Sequence, residues 1–296
     1  MTRKTVNDFP PEVLKLFDGY VHGRVTRREF LDRAAKFAVG GVTAAALLES
    51  LQPNFALAQQ VPADDARVKT DMVSYPSPKG SGTMKGYLAQ PTAAQAKRAC
   101  VDVIHENRGL SPYIQDVARR LAVEGYTAFA PDALAPLGGY PGDEDKAREL
   151  WGKLDQAKVK EDLIAAVDFL KTRGDCNGRI GAIGFCFGGG IVNQIAVRYP
   201  DLSAAAPFYG PQPKPEDAAK IKAPMLLHYA ENDDFVNKGI PQFEEALKAA
   251  GVKYQAYKYP GTYHGFHNDT TPRYNEAAAK LAWSRTLDFF KQHLQA

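Results

Sequence analysis

Beyond Gln60 the chain alternates short apolar runs with stretches of helical period, and few folds accommodate that alternation. Two runs, 68–75 and 83–90, flank a segment holding Pro76, Pro78, Gly80 and Gly82, which predicts an antiparallel pair. Further strands are predicted at 100–105, 127–130, 179–184, 204–208, 225–229 and 253–259. Helices are predicted at 114–124, 158–172, 187–198, 241–250 and 275–293. Within 158–172, Leu163, Val167 and Leu170 form one apolar stripe opposite Lys160, Glu161 and Lys171. The order implies a mostly parallel, doubly wound α/β sheet, in which ligands bind at the carboxyl ends of the strands.

The first sixty residues carry a different pattern. Thr26-Arg27-Arg28-Glu29-Phe30-Leu31 precedes an apolar run at 37–48 that includes Gly40 and Gly41, and Ala56-Leu57-Ala58 follows as a small-x-small cleavage pattern. These features predict a twin-arginine export signal over 1–58 and a single domain over 59–296. The run holds 12 residues, whereas a bilayer span needs about 20, so no stable membrane anchor is expected. The expected location is the periplasm or another extracytoplasmic space, with the twin-arginine machinery as a partner. The alternative is an amphipathic helix over 26–51 packed on the domain.

Composition excludes some classes. A net charge of +3 arises from 37 basic and 34 acidic residues mixed along the chain, with no basic run to track a phosphate backbone, so nucleic acid is not an expected partner. The three cysteines, Cys100, Cys176 and Cys186, match no zinc or disulfide framework. No cofactor and no metal are expected.

One segment carries chemistry. Gly184-Phe185-Cys186-Phe187-Gly188 reads G-x-C-x-G at a strand-to-helix junction, where an α/β-hydrolase makes its strained nucleophile turn. No serine in the chain has glycine at both positions. The first helical turn offers unpaired N–H groups and a positive dipole end that favour a thiolate and an oxyanion. A buried structural cysteine is the competing reading.

A thiol nucleophile needs a general base, and there are six histidines. His22 lies in the export segment, His293 near the end of the last helix, His228 within a strand, and His105 before the nucleophile in chain order. His264 and His267 remain, in the loop before the last helix, and His264 is chosen for its closeness to the strand end and for Gly265 beside it. As a metal pair, these two lack a third ligand. The orienting carboxylate should follow the strand at 225–229, and spacing leaves Asp233 and Asp234 open, either of which could instead cap a helix.

With these residues in view, the chain resembles the dienelactone hydrolase (carboxymethylenebutenolidase) family, a cysteine-using branch of the α/β-hydrolases, from about Asp71 to Gln295. The resemblance rests on His105-Glu106-Asn107-Arg108-Gly109, on Gly184-Phe185-Cys186-Phe187-Gly188-Gly189, on Ala230-Glu231-Asn232-Asp233-Asp234-Phe235-Val236 and on His264-Gly265-Phe266. It implies a Cys186-His264-Asp233 triad, Glu106 as a group that helps activate the thiol, an oxyanion hole from the amides of Phe187 and Asn107, and Tyr209 at the pocket edge. The family's substrate-carboxylate arginine four residues after the histidine is Asn268 here, and Arg273 or Arg108 stands as its substitute. The implied activity is cleavage of a small ester or lactone through a cysteine acyl-enzyme. The rival readings are a non-catalytic exported binding protein on a hydrolase scaffold and a redox-sensing thiol. A Cys100–Cys176 disulfide would suit an exported chain, and Tyr140, Trp151 and Gly138-Gly139 are candidates to shape the pocket.

Overall fold

The computed structural model describes residues 3–38, 41–57, 59–94 and 97–295. Val39, Gly40 and Ala58, which belong to the expected signal and its cleavage site, lie outside them. Three helices come first: α1 (Pro11–Val21), α2 (Arg27–Ala34) and α3 (Ala44–Leu51). The body continues with β1 (Val68–Ser77), β2 (Gly82–Pro91), β3 (Arg98–Ile104), α4 (Pro112–Val123), β4 (Thr127–Pro131), α5 (Glu144–Trp151), α6 (Gln156–Thr172) and β5 (Cys176–Phe185). It ends with α7 (Phe187–Arg198), β6 (Ala204–Phe208), α8 (Pro215–Ala218), β7 (Met225–Asn232), α9 (Asp234–Asn237), α10 (Ile240–Ala249), β8 (Tyr254–Tyr263) and α11 (Glu276–Leu294).

The sheet order is β1-β2-β4-β3-β5-β6-β7-β8. β1 pairs antiparallel with β2 and β2 with β4, while every other neighbour is parallel. Side chains of β3 alternate between the faces: Cys100 and Ile104 join the core under α6, α7 and α10, and Ala99, Val101 and Val103 join the core under α4 and α11. That period of two, with both faces covered, is what makes the strands almost wholly apolar. From β3 the chain moves to β4 on one side and then returns to β5 on the other, so the crevice between the carboxyl ends of β3 and β5 is the topological switch point.

Two glycines let the elbow close there. A Cβ on Gly184 would lie 2.3 Å from the Gly188 carbonyl oxygen, and one on Gly188 would lie 2.3 Å from that of Ile104. Only hydrogen at both positions lets α7 start directly against β3 and β5. Cys100 and Cys176 are buried free thiols on these same two strands. The disulfide suited to an exported chain is not formed: Cys100 Sγ approaches the Arg98 carbonyl at 3.9 Å and Cys176 Sγ that of Arg179 at 4.0 Å.

The N-terminal residues fold. The alternative of one helix over 26–51 is met by two shorter ones, α2 and α3, and α1 precedes them. Thr26 caps α2 in a reciprocal box with Glu29, and Phe9, Val13, Leu14, Phe17, Tyr20, Phe30, Leu48 and Leu51 form a core of their own. No described helix is long and apolar enough to cross a membrane. The unit lies on the carboxyl edge of the sheet: Tyr20 Oη donates to Asp145 at 2.6 Å, Arg27 pairs with Asp145 at 2.6 Å, and the Asn54 amide donates to the Thr270 carbonyl at 2.8 Å.

One buried group works against the fold. Asp102 in β3 is 0% exposed and neither carboxyl oxygen has a hydrogen-bond partner among the described residues. Burial drives its pKa far above the ordinary range, so it is held protonated. The folded state then binds a proton that the unfolded chain releases above about pH 4, and this residue's contribution becomes less favourable as pH rises. Asp102→Val should therefore raise the melting temperature, with a gain of about 1–3 kcal/mol that is larger at pH 8 than at pH 5 in paired thermal scans.

Candidate active site

The strand ends deliver the side chains. Cys186 stands between β5 and α7 with φ 56° and ψ −118°, a left-handed strained conformation for a residue with a Cβ, and its amide donates to the Phe208 carbonyl at 3.1 Å. Phe187 opens α7, so its amide has no carbonyl one turn earlier to bond. Asn107 follows β3 across the switch point. Tyr209 follows β6 with φ 38°, its ring 5.0 Å from that of His264.

His264 directly follows β8, and its Nδ1 lies 2.6 Å from Asp233 Oδ2. Asp233 also accepts from the Val236 amide at 3.1 Å, so one oxygen caps α9 while the other orients the imidazole. The two roles weighed for this carboxylate thus coexist, and Asp234 is exposed. His267 is a core residue instead: its Nδ1 meets Tyr113 Oη at 2.7 Å, and burial holds it well below the usual histidine range. His105 accepts from the Ala133 amide at 3.1 Å, and His228 bonds Tyr259 at 2.8 Å and Thr286 at 3.0 Å, so both are structural.

His22 was set aside with the N-terminal segment, and its position overturns that elimination. It caps the carboxyl end of α1, with Gly23 at φ 72° turning the chain away. Its Nε2 lies 3.5 Å from Cys186 Sγ and 3.2 Å from His264 Nε2, so it contacts both side chains. Asp18, one turn earlier, holds its Nδ1 at 3.2 Å. The Val21 carbonyl at the same helix end accepts from Asn107 Nδ2 at 2.9 Å and Arg108 Nη2 at 3.0 Å, which suits the negative pole of α1. Tertiary docking, invisible to motif spacing, brings this group in. The spacing of Asp18 and His22 on one helix was the available signal.

Charge is balanced inside the site. Burial alone would push the Cys186 thiol up, yet the His264 and His22 imidazoles draw it down to about 5. Burial opposes charge on both imidazoles, but the thiolate raises His22 to about 9 against repulsion from His264. The thiolate and Asp233 hold His264 well above its ordinary value. Burial and the Cys186 charge push Glu106 up to about 7, against the pull of Arg273 and His264.

The remaining cavity is small, about 30 Å³, and Cys186 is only 4% exposed. Phe17, Tyr20 and Val21 of α1 form its roof, and Glu106, Arg108, His264, Asn268 and Arg273 are among its other walls. Asn268 Nδ2 donates to Glu106 Oε2 at 2.8 Å, so the residue at the expected arginine position orients the glutamate. Arg108 is engaged with Val21 and the Asn107 carbonyl. Arg273 is 7% exposed with Nε and Nη1 unpartnered among the described residues, and Phe17 covers its face at 5.2 Å. Tyr140 and Trp151 lie outside this wall: Tyr140 donates to Glu144 at 2.8 Å and Trp151 packs on Phe187 at 5.0 Å.

Sequence and structure comparisons agree with this architecture. The profile of the Dienelactone hydrolase family matches residues 84–294, and a YqhI-like profile matches residues 1–36. A Salmonella typhi protein named "Putative carboxymethylenebutenolidase" is 31% identical over 243 residues, covering 77% of this chain and 89% of its own. The Escherichia coli "Putative hydrolase fragment YghX" is 52% identical over 114 residues, 38% of this chain and 97% of its own. The crystal structure titled "Putative Dienelactone Hydrolase" from Klebsiella pneumoniae superposes with a TM-score of 0.67 at 30% identity, covering 76% of this chain and 99% of that one.

Because two imidazoles share the stabilisation of the thiolate, His22→Ala should shift the Cys186 titration upward from about 5 toward the ordinary thiol range. Thiolate ultraviolet absorbance followed against pH, with Cys186→Ser as the blank, measures this shift. An unchanged midpoint would mean that His264 alone sets it.

Proposed function

Because the chain belongs to the dienelactone hydrolase family, we propose that it cleaves a small ester or lactone through an acyl intermediate on Cys186. The observation that carries this reading is a buried thiol at a strained strand-to-helix turn beside a carboxylate-held imidazole. Cys186 Sγ attacks the carbonyl carbon, and the oxygen gathers charge toward the amides of Phe187 and Asn107. As the carbon–oxygen bond breaks, the His264 imidazolium gives its proton to the leaving alkoxide. Water then attacks the thioester, His264 takes its proton, and the acid departs as the thiolate is regenerated. Asp233 keeps the imidazole in one orientation throughout. Glu106 accepts or releases a proton near neutrality as the charge on sulfur changes.

Access requires movement. A cavity of about 30 Å³ holds little more than a water molecule, so His22 and the end of α1 must withdraw before substrate reaches the sulfur. Outside α1 a groove of about 630 Å³ runs past Leu14, Phe235 and Tyr263 to His264 and Arg273 and supplies an approach. The unpartnered donors of Arg273 support a substrate that carries a carboxylate. We also propose export by the twin-arginine route, supported by Arg27-Arg28 and the apolar run after them. Cutting after Ala58 would remove α1–α3 with His22, and the mass of the chain recovered from the periplasm tests this.

Cys186→Ala should lower turnover of p-nitrophenyl acetate by at least about a thousandfold, and wild-type protein quenched early should carry one acetyl group on Cys186 by peptide mass. Full activity in the alanine variant would sink the scheme. Arg273→Ala should raise KM at least about tenfold for an ester bearing a second, free carboxylate and leave KM for a neutral ester nearly unchanged. Equal effects on both substrates would remove the carboxylate assignment.

A further inference from the structure

The two imidazoles of the site are presented to the sulfur, and to each other, in the same manner. His264 Nδ1 is held by Asp233 at 2.6 Å, and His22 Nδ1 lies 2.8 Å from the Asp18 carbonyl and 3.2 Å from Asp18 Oδ1. With each Nδ1–H donating to oxygen, each Nε2 faces inward and becomes a ligand when a metal displaces its proton. The two Nε2 atoms are 3.2 Å apart, His22 Nε2 is 3.5 Å from Cys186 Sγ, and all three atoms lie within 4.8 Å of one another. One proton can bridge the two nitrogens, but it cannot also reach the sulfur. A divalent cation serves all three donors at once.

The distances suit zinc. Sulfur at about 2.3 Å and nitrogen at about 2.0–2.1 Å from a tetrahedral ion set ligand–ligand edges of roughly 3.3–3.6 Å. Two edges already lie near that range, and the third, at most 4.8 Å, must shorten by no more than about 1.2 Å for tetrahedral ligation. One thiolate with two imidazoles favours zinc over magnesium or calcium. The Asp233 carboxylate behind His264 and the Asp18 main-chain carbonyl behind His22 fix the two tautomers, as outer-shell partners of metal-bound histidines do. The adjoining cavity of about 30 Å³ leaves a fourth position for water.

We propose that Cys186, His22 and His264 form a Zn²⁺ site that exists only while the N-terminal helices are docked, so that the metal holds the cover closed over a resting enzyme. One ligand comes from α1 and two from the body, so binding and docking are a single linked equilibrium. His267, the other histidine of the His264 loop, takes no part. The description of the metal-bound form as resting depends on the hydrolase reading above, whereas the binding site itself does not.

The test uses the full chain, stripped with a chelator and titrated with Co²⁺ and then Zn²⁺. One equivalent of Co²⁺ should produce a sulfur-to-cobalt charge-transfer band with the visible bands of four-coordinate cobalt, and Zn²⁺ should displace it. His22→Ala should weaken binding at least about a hundredfold, with circular dichroism monitoring the helices. If His22→Ala loosens α1, His22→Asn keeps a polar group at the helix end and should show the same loss. Zn²⁺ should also suppress esterase turnover of the wild-type chain, with recovery on chelation. A cobalt complex without the sulfur band, or unchanged affinity in both His22 variants, overturns the proposal. The cobalt spectrum needs no turnover, so an inactive protein that still shows it would count against the hydrolase reading and leave the metal site standing.

Discussion

A thiolate buried to 4% exposure must be neutralised where it stands, and much of the architecture around Cys186 answers that requirement. The sheet brings Cys186, Asp233 and His264 to one edge from β5, β7 and β8. The body thus provides one imidazole with its carboxylate. α1 provides a second pair, His22 and Asp18, from the opposite side. Positive charge on the two imidazoles is stabilised by the sulfur and by the two aspartates, which is why Asp18 and Asp233 both lie below the usual carboxylate range despite burial. Glu106 is the exception: beside the thiolate and out of water it is pushed up to about 7, so the site does not accumulate negative charge.

The body was legible in the sequence because its signals are local. Every expected strand forms, and the switch point between β3 and β5 lies where the elbow glycines imply a close approach. Gly184 and Gly188 could be read because backbone contact forbids any side chain there. His264 and Asp233 could be read because a doubly wound sheet gathers its strand ends on one edge in chain order. Asn268 illustrates the limit of motif transfer: it marked the loss of an expected arginine, but its bond to Glu106 is set by the packing of two distant loops.

What could not be read was the tertiary fate of the first sixty residues. Thr26 to Leu31 can be read in two ways from the same letters. Arg27-Arg28 before an apolar run is an address pattern, yet Thr26 and Glu29 form a capping box and Arg27 pairs with Asp145. Assigning the segment to an export signal then removed His22, which lies 3.5 Å from the sulfur. A pattern of Asp18 and His22 four apart gives helical adjacency and says nothing of which surface receives it.

The mode of attachment bears on how such a cover can open. Its apolar side chains, among them Phe30, Leu48 and Leu51, are buried mainly against one another, so the three helices can move as a body without exposing their own core. Contacts with the body are largely polar or cation–aromatic: Tyr20 and Arg27 on Asp145, Arg148 over Tyr20 at 4.0 Å, Arg273 over Phe17, and the Val21 carbonyl on Asn107 and Arg108. Water can replace most of these when the unit lifts. The His22–Cys186 contact differs in kind, because lifting leaves the sulfur with His264 alone. On the proposed opening, the energetic latch of the cover is the same sulfur that the proposed reaction uses, and a ligand that strengthens or replaces that contact would shift the balance between covered and open forms.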